Sequence, residues 1–299
     1  MEGAGGRAEQ RVRFPPVIRT ADAEAGRMNE IENNETTGIN GKSTDGAGTR
    51  SRSGSGVAGK AALVTGGSRG IGAAIARRLA EEGADVALTY EHRADRAAAV
   101  VADIEAMGRR ALAIQADSGD ATAVPAAVEK TAEALGGLDI LINNAGLFVV
   151  GPVEDLGAAE IDRALAVNVR APYLAARAAV PHMREGGRII SIGSNVAGRT
   201  VFPGFTLYAM TKTALIGMTK GLARDLGPRG ITVNLVHPGP TDTDANPADG
   251  SNADAIRGLT VLGRYAAPDD IAATVAHLAG TGGRYVTGAA IDVDGGFNV

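Results

Sequence analysis

From residue 57 onward, short unbroken apolar runs alternate with longer segments whose apolar residues recur at helical spacing. The runs predict strands at Ala61–Thr65, Asp85–Tyr90, Arg110–Gln115, Ile140–Asn143, Arg188–Ile192, Ile231–His237 and Ala290–Val293. The segments between them predict helices at Gly70–Glu82, Asp95–Met107, Thr122–Leu135, Ala158–Met183, Tyr208–Leu226 and Pro268–Ala279. Most of the strands are continuous Val, Ile, Leu and Ala, the pattern of strands covered on both faces. Such alternation predicts an α/β chain: one doubly wound parallel sheet of about seven strands, helices on both faces, right-handed crossovers. Ligands of such sheets bind outside the carboxyl ends of the strands, so the residues just after each strand carry the functional reading.

Residues 1–56 break the pattern. They are rich in Gly, Arg, Glu, Asn, Ser and Thr, hold Val17, Ile18 and Ile31 in isolation, and end in the Gly/Ser run 51–56. So little apolar surface does not offset the entropy of ordering, and a disordered tail is expected. The segment lacks the apolar h-region of a secretory signal, its acidic residues argue against a transit peptide, and Met28 is an alternative start. Residues 57–299 then make one domain, with a core large enough to need no disulfide. The 299 residues contain no cysteine, which removes thiolate nucleophiles and cysteine metal sites and fits a reducing cytoplasm. The formal net charge of −4, with both signs scattered, suggests no nucleic-acid or membrane surface. No apolar run approaches the ~18 residues of a membrane span.

The stretch Thr65-Gly66-Gly67-Ser68-Arg69-Gly70-Ile71-Gly72 sits between the first strand and the first helix. Glycines let the backbone turn tightly and approach a ligand, and the helix start offers unpaired N–H groups to a phosphate. A glycine-rich turn alone is often a plain turn, but here a second strand completes a βαβ unit. Small or polar residues also follow the later strands: Asp117-Ser118, Asn143-Asn144-Ala145-Gly146, Gly193-Ser194, and Pro238-Gly239-Pro240-Thr241-Asp242-Thr243. Tyr208 and Lys212 lie four apart and share one face of a predicted helix. A ketone becoming an alkoxide needs a proton donor; a nearby ammonium makes a phenol a readier one, and Ser194 can hydrogen-bond the carbonyl oxygen.

These motifs, in this order, together with Asn168 and the closing Val293-Asp294-Gly295-Gly296, resemble the short-chain dehydrogenase/reductase family over about residues 58–299. The texture is similar to 3-oxoacyl-carrier-protein reductases and related NADPH ketoreductases. The resemblance implies a Rossmann-type fold and reduction of a 3-oxoacyl, aryl or cyclic ketone. It implies Tyr208 as acid/base, Lys212 tuning it and holding the nicotinamide ribose, Ser194 positioning substrate, and Asn168 holding a relay water. Read without the family, Asn168 is a buried polar group capping its own helix. Ser194 lies fourteen residues before Tyr208 where thirteen is frequent, a spacing that looks like naphthol-reductase-type members. The extra residue falls in the loop 199–205, whose Phe202 and Phe205 either wall an apolar pocket or pack in the core.

For the cofactor, the end of the second strand carries Tyr90 where NAD-specific sites place an acid, with Glu91 one residue later. Arg69 in the glycine loop, with His92 and Arg93 nearby, suits a 2′-phosphate, so NADPH/NADP+ is expected with Arg69 as main discriminator and Arg93 as second. The cofactor set expected by residue is Gly66, Ser68, Arg69, Gly70, Ile71, Gly72, Tyr90, Arg93, Asp117 (on the adenine amino group), Ser118, Asn144, Ala145, Gly146, Tyr208, Lys212, Pro238, Gly239, Thr241 and Thr243.

The partner expected is a small-molecule carbonyl substrate. Arg229 matches one of two basic residues that carrier-protein-dependent members use, but Glu185 stands at the other, which puts carrier docking in doubt. The polar segment 244–262 reads as a lid. Its wording, with Ala223-Arg224-Asp225-Leu226-Gly227-Pro228-Arg229-Gly230, is similar to cyclic-di-GMP-binding biofilm-dispersal mediators on the same fold. A regulatory nucleotide binder with little turnover is therefore the alternative. His92, His182, His237 and His277 are scattered and read as packing or surface residues, with no metal signature. Family members of this type form homotetramers or homodimers. Here Ala158–Met183 and Tyr208–Leu226 would pack in one interface and Tyr285–Val299 in another.

Overall fold

The computed structural model describes residues 56–299, so the tail expected over 1–56 lies, but for its last residue, outside the described residues. The strands are β1 Ala61–Val64, β2 Asp85–Tyr90, β3 Ala111–Gln115, β4 Ile140–Asn143, β5 Arg188–Ile192, β6 Thr232–Pro238 and β7 Ala290–Val293. Every pairing is parallel, in the order β3-β2-β1-β4-β5-β6-β7. The helices are α1 Gly70–Glu81, α2 Ala94–Ala106, α3 Ala123–Leu135, α4 Ala158–Leu165, α5 Ala171–Ala179, α6 Thr206–Leu226, α7 Ala253–Arg257 and α8 Pro268–Ala279.

The two-residue period of a strand divides the core. Ala62, Val64, Val86, Leu88, Ile140, Ile142, Ile190 and Val236 face one side, where Ile75 and Leu79 of α1 meet Ile271, Val275 and Leu278 of α8. Ala61, Leu63, Ala87, Leu141, Ile189 and Val233 face the other, against Val124 and Val128 of α3 and Ala175 and Ala179 of α5. This double coverage is why the strands read as unbroken apolar runs. The chain order reverses between β1 and β4, so their carboxyl ends splay and open the crevice in which this class of sheet binds ligands.

The long helix expected over Ala158–Met183 is a correction. It is split into α4, a π-turn over Ala166–Arg170, α5, and a 3₁₀ turn at Val180–His182. Pro172 and Pro181 explain the breaks, since each lacks the N–H that an α-helix would place on the carbonyl four residues back. For Pro172 that carbonyl belongs to Asn168. Helix α7, inside the polar 244–262 segment, carried too little apolar pattern to be foreseen.

Candidate active site

The crevice is built from the loops after β1 and β4, and Thr65 ties them together. Its Oγ1 donates to the Ile142 carbonyl at 3.3 Å and accepts the Asn144 and Ala145 N–H groups at 3.0 and 3.1 Å. Asn144 Nδ2 donates back to the Thr65 and Gly66 carbonyls at 2.9 and 3.0 Å. The Asn144 amide donor thus braces the glycine loop. Thr89 of β2 holds that loop from the other side, accepting Gly66 N–H on its hydroxyl and Gly67 N–H on its carbonyl, each at 2.9 Å.

Ser68, Arg69 and Ile71 lead into α1, whose first turn has no acidic residue and whose N-cap, Arg69, makes no side-chain cap bond. Its first N–H groups are therefore not taken up by a capping side chain. Gly70 turns the chain there with φ +53°, and a Cβ built on it would face only Thr243, at 3.4 Å. Gly72 packs against the Asn144 side chain. The opposite wall is Pro238, Gly239, Thr241 and Thr243. Gly239 N–H continues the ladder to Val293 O at 3.0 Å, and Thr241 Oγ1 donates to Gly239 O at 3.0 Å. An uncapped helix start behind a glycine turn fits a diphosphate.

At the end of β2, Tyr90 is half-buried against the core and Arg69 and Arg93 are exposed. Arg93 grips Asp95 with Nε at 2.9 Å and Nη2 at 2.6 Å. Arg96, not singled out from the sequence, pairs with Asp244. That pair holds the Asp244 carboxyl below its ordinary range, and Arg69 and Arg93 add to the effect at longer reach. Three arginines thus gather around one acid, at the place expected for a 2′-phosphate. Asp117, expected on adenine, is clamped by Arg163 of α4: Nη1 to Oδ2 at 3.0 Å and Nη2 to Oδ1 at 2.8 Å. Gly119 N–H adds a third bond at 2.7 Å. The Arg163 clamp lowers the Asp117 pKa. Ser118 is buried beside it. A carboxylate has about four acceptor sites, so one remains for a ligand.

The groups expected to do chemistry converge at the end of β5. Lys212 Nζ donates to the Ile192 carbonyl at 3.0 Å and stands 5.7 Å from the Tyr208 ring centre. Gly146 lies between Lys212 Nζ and Asn168 Oδ1, which a Cβ at that position would meet at 3.3 and 3.6 Å. Burial drives Lys212 down from 10.5 to about 8. Burial also pushes the half-buried Tyr208 up to about 12, partly offset by a hydrogen bond with Ser194. Desolvation is thus the larger influence on the phenol, and the Ser194 hydrogen bond opposes it. Asn168 does not cap its own helix. Its Oδ1 accepts Leu147 N–H at 2.7 Å, and its Nδ2 donates to Leu147 O at 2.8 Å and Thr211 Oγ1 at 3.0 Å, so its side chain pins the loop that follows β4.

One aromatic went unremarked in the sequence. Phe148 stands edge-on to Tyr208 with ring centres 4.8 Å apart and to Phe205 at 5.6 Å, and Phe202 joins Phe205 at 5.7 Å. Phe202 and Phe205 thus join Tyr208 through Phe148, in one chain of ring contacts. Phe148 sits two residues beyond the Asn143–Gly146 turn, and this closeness to a strand end was the available signal.

A phenol, an ammonium and a serine hydroxyl, gathered at the carboxyl edge of a doubly wound sheet, define an α/β oxidoreductase. A family model described as Enoyl-(Acyl carrier protein) reductase matches residues 66–298. A short-chain dehydrogenase from Burkholderia cenocepacia J2315, solved in complex with NADP, is 61% identical with a TM-score of 0.81, over 81% of this chain and 99% of that one. The cyclic-di-GMP-binding biofilm dispersal mediator protein of Escherichia coli (strain K12) is 47% identical over 239 residues, 80% of this chain and 97% of the relative. Versicolorin reductase 1 of Aspergillus parasiticus is 41% identical over 251 residues, 80% of this chain and 96% of the relative. This chain belongs to the short-chain dehydrogenase/reductase family of oxidoreductases.

Proposed function

We propose that the protein reduces a ketone to an alcohol with NADPH, Tyr208 giving the proton. The observation that carries this reading is the convergence of Tyr208, Lys212 and Ser194 beside an uncapped helix start and an arginine cluster. NADPH, when bound, supplies the hydride. The α1 N-terminus would hold its diphosphate, Arg69 with Arg93 and Arg96 its 2′-phosphate, and Asp117 with Ser118 its adenine. A phenol held near 12 stays protonated at neutral pH, the form an acid needs before it donates. Ser194 would hydrogen-bond the carbonyl oxygen as charge develops on it. The Lys212 ammonium would stabilise the phenolate left behind. The Asn168 carbonyl, relieved of its α-helical donor by Pro172, would hold the relay water.

Phe148, Phe202 and Phe205 favour an aryl or cyclic ketone over a carrier-bound acyl chain. Arg229, the one residue that fits carrier docking, instead donates to the Val180 and Met183 carbonyls at 3.1 and 2.8 Å. Residues 244–262 would close over the site as a lid, anchored by the Arg96–Asp244 pair and by Leu262 N–H on Gly295 O at 3.0 Å. A dimer or tetramer would cover Tyr173, Met210, Tyr285 and Val299, now 54, 48, 98 and 88% exposed. Among the described residues no helix is long and apolar enough to cross a membrane. The lack of cysteine suits a cytoplasmic enzyme.

The test follows loss of reduced nicotinamide with an acetoacetyl thioester, an aryl ketone, a cyclic diketone and a quinone. Turnover of any of them by the wild type supports the reading; none, with NADPH still bound, overturns it. Arg69→Ala lowers kcat/KM for NADPH about tenfold and leaves NADH unchanged; an unchanged preference removes Arg69 from the assignment. Phe148→Ala raises KM for the aryl ketone about tenfold and that for the small thioester less than threefold; equal effects argue against an aromatic wall. The name of the Escherichia coli relative favours a second reading, a cyclic-dinucleotide regulator on this fold. Tight binding of cyclic-di-GMP by calorimetry, with no turnover, is the outcome that selects it.

A further inference from the structure

We propose that His237 is a positioning residue for Ser194: its neutral imidazole accepts the Ser194 N–H and fixes the end of β5, and its protonation releases that hold. The proposal rests on the reading of Ser194 as the group that meets the substrate carbonyl.

Strands β5 and β6 pair from Arg188 with Thr232 to Ile192 with Val236. The ladder then makes one more backbone bond, Gly193 N–H to Val236 O at 2.7 Å. Ser194 N–H, which strand alternation takes out of that ladder, donates to a side chain, His237 Nδ1, at 3.0 Å. The imidazole gives this N–H an acceptor just beyond the end of the ladder. It is 3% exposed. Gly193 is part of the same device, because a Cβ on it would run into His237 Nδ1 and Cε1. The ring lies against the backbone it supports, and only glycine leaves it room.

A nitrogen that accepts carries no proton, so the ring proton sits on Nε2. Protonation would turn Nδ1 into a donor facing a donor and break the bond. It would also set a second cation near the Lys212 ammonium on α6. The charged groups facing the ring are Lys212 and Asp292, the residue in register with His237 on β7. Burial first, and then Lys212, hold the imidazole below its ordinary value against the opposing pull of Asp292. His237 is therefore neutral at pH 7 and charges only in more acid solution. Below that point Ser194 loses its anchor and kcat falls.

The test combines two variants with a measurement that needs no substrate. His237→Leu keeps an apolar body and removes the acceptor; kcat falls about tenfold at neutral pH, KM for NADPH stays within twofold, and the acid limb of the pH profile disappears. His237→Gln offers a carboxamide oxygen to Ser194 N–H without titrating; it recovers most of the lost rate and also lacks the acid limb. Nitrogen-15 NMR of the wild-type imidazole shows a neutral ring protonated on Nε2 that titrates below the ordinary histidine range. A wild-type acid limb in His237→Gln, wild-type kcat in a folded His237→Leu, or a proton on Nδ1 at neutral pH overturns the proposal. Ser194→Ala separates the two readings. If it turns over normally, the role of Ser194 fails, while the NMR result still decides whether His237 holds its backbone.

Discussion

Tyr208→Phe lowers kcat for ketone reduction about a thousandfold and leaves NADPH affinity within twofold. The substitution removes one oxygen and keeps the ring. The edge-on contact with Phe148, 4.8 Å between centres at 82°, needs only the ring, so the apolar wall survives. What is lost is the hydroxyl that the proposed reaction uses to protonate the alkoxide. The high pKa of about 12 does not argue against the role. It keeps the phenol protonated over the working range, and a phenol remains a far stronger acid than the alcohol it makes. The cost appears on the phenolate, which is why a cation 5.7 Å from the ring matters more after proton transfer than before it. Steady-state kinetics with the best ketone, beside NADPH titration by fluorescence, decide it. Retention of more than about a tenth of the wild-type rate would mean that another donor serves.

The sheet was legible because covering both faces leaves a simple mark: Ala61–Val64 and Arg188–Ile192 carry no buried-versus-exposed alternation and are buried throughout. The glycine loop, Ser194, Tyr208 and Lys212 were legible because each follows a strand or shares a helix face at fixed spacing. Pairs distant in the chain were not. Arg163 reaches Asp117 across 46 positions, and Arg96 reaches Asp244 across 148, and no local pattern announces either. The break at Ala166–Arg170 did have a local signal, Pro172, which the strong alanine content of the segment masked. The upward Tyr208 shift was not legible for a different reason. Sequence shows which charges are near in the chain, but desolvation depends on how completely the fold surrounds a group.

Lys212→Met trades function for stability. Turnover falls at least about a hundredfold, because the phenolate of Tyr208 loses its counter-charge. The folded protein nevertheless becomes more stable at pH 7. Burial takes the Lys212 ammonium from 10.5 to about 8, so below pH 8 the native state carries a cation it would rather release. At 1.36 kcal/mol per unit that penalty is of order 3 kcal/mol. Methionine removes it while keeping the side-chain stem, and gives up the 3.0 Å bond to the Ile192 carbonyl, worth about 1.5 kcal/mol or more for a charged donor. The net gain is about 1 kcal/mol, or a Tm higher by about 2–4 °C for a domain of this size. The pH dependence carries the signature. Between about 8 and 10.5 the unfolded chain holds a proton at Lys212 that the native state has lost, so wild-type stability gains with pH across that window. The advantage of Lys212→Met is full below pH 8 and is gone by about 10.5, where the residual hydrogen bond favours lysine. Paired thermal melts of the two proteins at pH 7 and 10 measure it. A lower Tm for Lys212→Met at pH 7, or a gain equal at both values, would mean that the buried ammonium is already compensated in the resting site.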